Sequence, residues 1–295
     1  MKGSRIVAAA LAVLFSALGP ALGQTTQSQD GPVVLEGDRR EARVYEPVGS
    51  TLAWAHRDGR LEVYDPQTKK WVPAAGDFPL AAAGSRLLLA YGPDGPGSAV
   101  YDLGRHAWVP QFDRYFRGAV SENLAVGYGG PGRPGIYDAL SGRWQTPVLE
   151  ACQVALSGRL AAFFGEHVKT TLYDASRGVW ASDASDFTRC ALGERLAVFF
   201  GPPGTNALLY DSRAGRFVPL REPLQEVKIE GGTALALSRG NRAFAYSGER
   251  EAWVEFRGAV QDLSFVNEEA LLTDDQGAVW AFRPDRLTFE LRRKR

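Results

Sequence analysis

Arg117, Gln153 and Arg189 stand 36 residues apart, each seven positions before a leucine (Leu124, Leu160, Leu196) that opens an apolar run. A guanidinium offers a fork of N–H donors that matches a carboxylate or phosphate in two bonds, and an amide adds both a donor and an acceptor. Held side by side at the start of a strand, such a trio suits an anionic group. A second series is acidic: Asp77, Asp113, Glu150, Asp186 and Glu222 recur five or six residues after an aromatic. Two carboxylates that converge, with one kept protonated, do the acid–base work of a glycoside hydrolase or lyase. Spread one to a repeat, they cap loops instead.

Metal chemistry has little to work with. The three histidines, His56, His106 and His167, do not share one end of the expected elements, since His106 falls in a turn opposite the other two. Zinc spacing, an acidic calcium loop, a Walker loop and a nucleophile elbow are all absent from the sequence. The expectation is no catalytic residue, no metal and no cofactor. Cys152 and Cys190 are the only cysteines. An even count in an exported chain admits a disulfide, subject to strict geometry.

The elements that must position these residues repeat. Tyr64, Tyr101, Tyr137, Tyr173, Tyr210, Tyr246 and Phe282 recur every 36 or 37 residues, each followed seven positions later by Trp71, Trp108, Trp144, Trp180, Phe217, Trp253 or Phe289. Residues 152–183 show the unit: strands over 152–156, 160–164, 171–173 and 179–182, separated by Ser-Gly, Gly-led and Asp/Gly turns. Strands this short, with turn signals between them, mean an all-β chain. Asp65, Asp102, Asp138, Asp174 and Asp211 follow the aromatic, where a carboxylate accepts a backbone N–H two residues on. Gly142, Gly178 and Gly215 sit where the turn needs positive φ. One such unit cannot bury both its faces; seven set radially can. The fold expected is a seven-bladed β-propeller of four short antiparallel strands per blade, with the aromatic pairs packing between blades.

Residues 1–23 read as a signal peptide: Lys2 and Arg5, an apolar run from Ile6 to Phe15, and the small-residue site Ala21-Leu22-Gly23. Cleavage near Gly23 would export the chain to periplasm or medium, with no transmembrane span left. Lys+Arg and Asp+Glu balance at 34 each, so loss of Lys2 and Arg5 leaves 32 against 34, a charge of −2. That balance gives no footprint for nucleic acid. Residues 24–41 form a lead-in whose Val33–Asp38 resembles a fourth strand and is expected to pair with the last blade and close the ring; 42–295 is the propeller.

The run Val63-Tyr64-Asp65-Pro66-Gln67-Thr68-Lys69-Lys70-Trp71 resembles the Kelch repeat, the propeller family that includes galactose oxidase. The resemblance covers 42–295 and is clear in four units. Units here are shorter, and the Kelch Gly-Gly doublet survives only as Gly129-Gly130. The resemblance implies binding of a protein or a carbohydrate; the oxidase's copper chemistry does not transfer, for want of converging histidines.

Loops after second and fourth strands share one rim, which carries Gly92–Gly97, Gly129–Gly135, Gly165–His167 and Gly201–Gly204. Variable loops on a rigid scaffold are the usual place for binding. The sequence therefore points to an exported, monomeric binding module for a protein or glycan, with Arg117, Gln153, Arg189, Arg133 and His167 as ligand-binding residues. The alternatives are a carbohydrate-active hydrolase or lyase using rim carboxylates, or a structural envelope protein.

Overall fold

Tyr and Trp seven residues apart end up face to face because a two-stranded turn folds the chain back between them. In the computed structural model, which describes residues 33–35, 52–57, 60–94, 96–130, 133–146, 153–202 and 204–293, Tyr64 pairs with Trp71. Tyr101 likewise pairs with Trp108 and Tyr173 with Trp180. All the described elements are β-strands, and all the ladders are antiparallel. Repeat 4 shows the unit as strands a to d: Gln153–Leu156, Leu160–Phe164, Thr170–Asp174 and Val179–Asp183. These ranges lie within a residue or so of those read from the sequence. Strands b and c are buried on both faces, whereas d is half-exposed.

Six hydrogen-bonded sheets carry the seven repeats. Repeats 3, 4 and 5 are separate four-stranded sheets, and repeat 1 has three described strands (Trp54–Arg57, Arg60–Asp65, Lys70–Pro73). Repeats 6 and 7 depart from the expected pattern of four short strands. They merge through one strand of 15 residues, Ala252–Val266, which closes repeat 6 and opens repeat 7. The reason is local. Elsewhere the d-to-a link holds proline or an Asp/Ser turn, while this segment alternates apolar and polar residues with no proline to stop the ladder. A bulge between Val260 and Asp262 absorbs the bend.

The lead-in strand is also placed differently from expectation. Val33–Leu35 pairs antiparallel with strand a of repeat 2, Leu80–Ala83, and not with the last repeat. An unpaired inner edge of small residues (Ala81, Ala82, Ala83) offers free N–H and C=O groups, which is what an extra strand seeks. The signal segment, most of the lead-in, Glu150 and Cys152 lie outside the described residues.

Six apolar clusters join successive repeats, one for each junction. Leu61 and Val63 meet Leu88 and Tyr101; Leu89 and Val100 meet Tyr115 and Tyr137; Val126 and Ile136 meet Phe163 and Tyr173. Phe164 and Leu172 meet Phe199 and Tyr210; Val198 and Leu209 meet Phe244 and Tyr246; Leu235 and Ala245 meet Leu272 and Phe282. The a strands of neighbouring repeats approach one another, so the sheets converge at that edge and leave d strands outermost. Among the described residues, no helix is long and apolar enough to cross a membrane.

The repeated aspartates do two jobs. One carboxylate oxygen caps its own turn: Asp138 accepts from the Leu140 N–H at 2.9 Å and Asp211 from the Arg213 N–H at 2.8 Å, as the sequence suggests. The other oxygen accepts the tyrosine hydroxyl of the next repeat. Tyr101, Tyr137, Tyr173, Tyr210 and Tyr246 donate to Asp65, Asp102, Asp138, Asp174 and Asp211 at 2.9–3.1 Å. All ten groups are buried. Where the carboxylate gives way to Ser247, the facing hydroxyl is gone too, in Phe282. The aromatic pairs thus stack within a repeat, Tyr173 and Trp180 at 5.0 Å between centroids, and also pack on apolar side chains of the neighbouring repeat, with their polar tips adding a second tie. Trp108 and Trp144 donate their indole N–H to Val72 and Val109 carbonyls one repeat back.

Each c-to-d turn passes through positive φ two residues before the outer aromatic. Gly142, Gly178 and Gly215 take it at 64–68°, but Lys69, His106, Glu251 and Leu287 take it at 53–56°.

Candidate functional site

Strand a starts beside the end of strand b: Arg117 opposes Tyr128, Gln153 opposes Phe164, and Arg189 opposes Phe200. The trio therefore lies on the rim that carries the Gly/Pro loops, one residue to each repeat. Gln225 and Gln261 continue the row at the same 36-residue interval. Both sit at bulges in the opening strand of their repeats. Arg117, Gln153, Gln225 and Gln261 are exposed and Arg189 is half-exposed. The two glutamines were missed in the sequence because the bulges shift them off the leucine landmark; the bare 36-residue interval would have found them.

The five are not equally available. Arg189 lays its guanidinium over the Phe200 ring, 4.6 Å from the centroid, and donates to the Gln225 carbonyl at 3.0 Å. It locks one repeat to the next. Gln261 donates to the Asp275 carbonyl at 3.3 Å. Arg117 has no hydrogen bond or ion pair among the described residues, and its stem runs 3.7 Å from where a Cβ on Gly129 would be. Arg133 is exposed in the loop that follows. His167 is exposed, holds φ 61°, and gives its backbone N–H to Asp186 at 3.4 Å. It serves the loop.

The described members of the acidic series have separate settings. Asp186 caps the His167 loop, Glu222 is ion-paired with Arg242, and Asp77 stands exposed. Among the described residues no group of three His, Cys, Asp or Glu side chains could hold a metal ion. His106 is committed elsewhere, its Nδ1 at 2.7 Å from Asp65. Burial would raise the Asp65 carboxyl, but His106, the Thr68 and Gln67 amides and the Tyr101 hydroxyl outweigh it and hold that carboxyl well below the usual range. Cys190 is a free thiol in the interface of repeats 4 and 5, and burial pushes its pKa up, the mark of an inert packing residue.

The third repeat's corner is the most built part of this rim. Tyr115 is fully buried two residues before strand a, a place held by Phe78 and Phe187 in repeats 2 and 5. Glycines make the room: a Cβ on Gly127 would lie 1.9 Å from the Tyr115 ring, and one on Gly135 would lie 2.1 Å from its hydroxyl. This plug fixes the link 112–116, from which Phe112 projects 92% exposed and Phe116 47%.

No family model matches the chain, and no curated protein matches it. Solved structures do. The computationally designed protein Ika8 aligns over 91% of this chain and 87% of its own, at 12% identity and TM-score 0.36. Hsv2 of Kluyveromyces lactis aligns over 83% and 95%, at 9% identity and TM-score 0.34. Prp20p of Saccharomyces cerevisiae, studied for its binding to Gsp1p and histones, aligns over 70% and 72%, at 10% identity and TM-score 0.34. Hsv2 and Prp20p are β-propellers.

Proposed function

We propose that this chain is an exported, monomeric seven-bladed propeller of Kelch-like blade design, acting as a binding module for a protein ligand at the Gly/Pro rim. Seven repeats joined by six like junctions, with a strands converging, support the radial ring. The basic start and Ala21-Leu22-Gly23 site support export. The observation that carries the binding reading is the polar row Arg117, Gln153, Arg189, Gln225 and Gln261, one side chain per repeat at one rim of a rigid scaffold. Arg189 and Gln261 serve the fold as well, but Arg117, Gln153 and Gln225 stand exposed in water, where a ligand spanning several repeats gains a ladder of directional contacts.

The test is a thermal-shift panel of peptides, oligosaccharides and anions against the chain and its Arg117→Ala/Gln153→Ala/Gln225→Ala variant. A ligand at about 100 times its dissociation constant adds roughly 2.7 kcal/mol to stability. A shift in the parent chain that vanishes in the variant supports the rim. A shift that persists unchanged moves binding off the row and sinks this reading.

A further inference from the structure

The corner of the third repeat carries a chemistry of its own. Two Gly/Pro loops clamp the link between Gln111 and Arg117 at the backbone. A Cβ on Gly97 would fall 2.4 Å from the Gln111 carbonyl oxygen and 3.3 Å from the Phe112 Cα, and one on Gly130 would fall 1.9 Å from the Arg114 carbonyl oxygen. No side chain fits at either glycine, so both loops press on the link and hold it. On this fixed base stand Phe112 and Phe116, the first almost wholly in water. Arg114 and Arg117 stand on the same link and Arg133 follows Gly130 in the second loop, all exposed and none with a carboxylate partner among the described residues.

The link carries one acid of its own. Asp113 is half-buried, its carbonyl takes the Ser98 hydroxyl at 3.0 Å, and its charge bears on Tyr115, whose phenol is raised by burial first and then by Asp113. Arg114 and Arg117, unpaired among the described residues, share one short link with two exposed rings and make a surface that is both cationic and apolar. An exposed Phe and Arg on a clamped backbone have the make-up of an interface anchor, since aromatics and Arg dominate hot spots and the link itself needs no ordering on binding. We propose that this corner docks an acidic segment of a partner protein, with an apolar side chain of that segment covering Phe112 and its carboxylates meeting Arg114, Arg117 and Arg133. This rests on the rim reading above and names the partner's chemistry.

The probe is a short fluorescent peptide rich in Glu and Asp around a central Leu-Phe pair, titrated by anisotropy into the full chain. Controls are a basic peptide of the same length, the acidic peptide with Leu-Phe replaced by Ser-Ser, and an oligogalacturonate as an acidic glycan. Phe112→Ser removes a ring already in water, and Arg114→Gln/Arg117→Gln keeps polar stems, so both variants should keep the parent melting temperature. The expected result is binding of the acidic Leu-Phe peptide, weakening with salt. Each variant should lose about tenfold or more in affinity, the equivalent of about 1.4 kcal/mol. Equal binding of the basic or Ser-Ser peptide, no binding of the acidic peptide, or glycan binding indifferent to Phe112→Ser would overturn the proposal. Peptide binding that survives both variants yet falls in Gln153→Ala/Gln225→Ala would overturn this corner while leaving the rim reading standing.

Discussion

Replacing Tyr173 by Phe removes one hydroxyl and no volume, and isolates the rung between repeats 3 and 4. That hydroxyl donates to Asp138 at 2.9 Å, with the tyrosine and the aspartate each 1% exposed. A hydrogen bond to a charged acceptor contributes about 1.5–3 kcal/mol net, and its loss leaves a buried carboxylate oxygen without a donor. Tyr173→Phe should cost about 2 kcal/mol, a fall of roughly 4–8 °C in melting temperature for a chain of this size. Asp138→Ser should cost at least as much, because it also frees the Leu140 N–H. The double variant reproduces the Ser247/Phe282 arrangement that the chain already tolerates between repeats 6 and 7. It should therefore cost less than the two singles together, with a coupling of about 1–2 kcal/mol. Scanning calorimetry of the four proteins gives the cycle. Strict additivity would refute the rung as an interaction and leave the tyrosines as packing alone.

Alkaline pH should unfold the chain early. Tyr101, Tyr137, Tyr173, Tyr210 and Tyr246 are raised by burial first and then by the facing aspartates. The folded state therefore holds protons that the unfolded state releases above about pH 10, so this stability is present below that pH and is lost as pH rises further. Melting temperature should fall steeply beyond about pH 10; a flat profile contradicts it. Lys69→Gly should stabilise by about 0.5–1 kcal/mol, since an exposed side chain at φ 56° is relieved of left-handed strain at a smaller entropic cost. Chemical denaturation checks it, and a loss of stability counts against the turn analysis. Gly127→Ala should destabilise by about 1–3 kcal/mol or more, because the new methyl meets the Tyr115 ring; a neutral result would mean that the plug is loose.

Much of this fold is legible because the repeat is short and its chemistry is local. A short apolar strand bounded by turn residues, an Asx-capped turn and a Trp seven residues after a Tyr are each decided within about ten residues of chain, and Gly142, Gly178 and Gly215 take the positive φ that the turn demands. The second use of each aspartate was not legible, since its tyrosine lies 35 or 36 residues away. The joint loss of both in Ser247 and Phe282 was the clue. Fusion of repeats 6 and 7 came from the absence of a breaker between Ala252 and Val266, a weaker signal than the presence of one. Of the candidate site, register alone placed Arg117, Gln153 and Arg189 on one rim. It could not show that Arg189 is spent on Phe200 and Gln225, because both partners depend on how neighbouring strands end. Phe112 drew no notice, as an aromatic in a link reads as core until its exposure is seen.

Hydrogen–deuterium exchange of the chain with and without the acidic Leu-Phe peptide tests the rim most directly. The account predicts slowed exchange over 112–117, the loop 129–135 and the opening residues of strands a near Gln153 and Gln225. Exchange in the turns after strands a and c, at the opposite rim, should be unchanged. Protection confined to those opposite turns, or spread evenly over all the repeats, would contradict a binding site at the Gly/Pro rim.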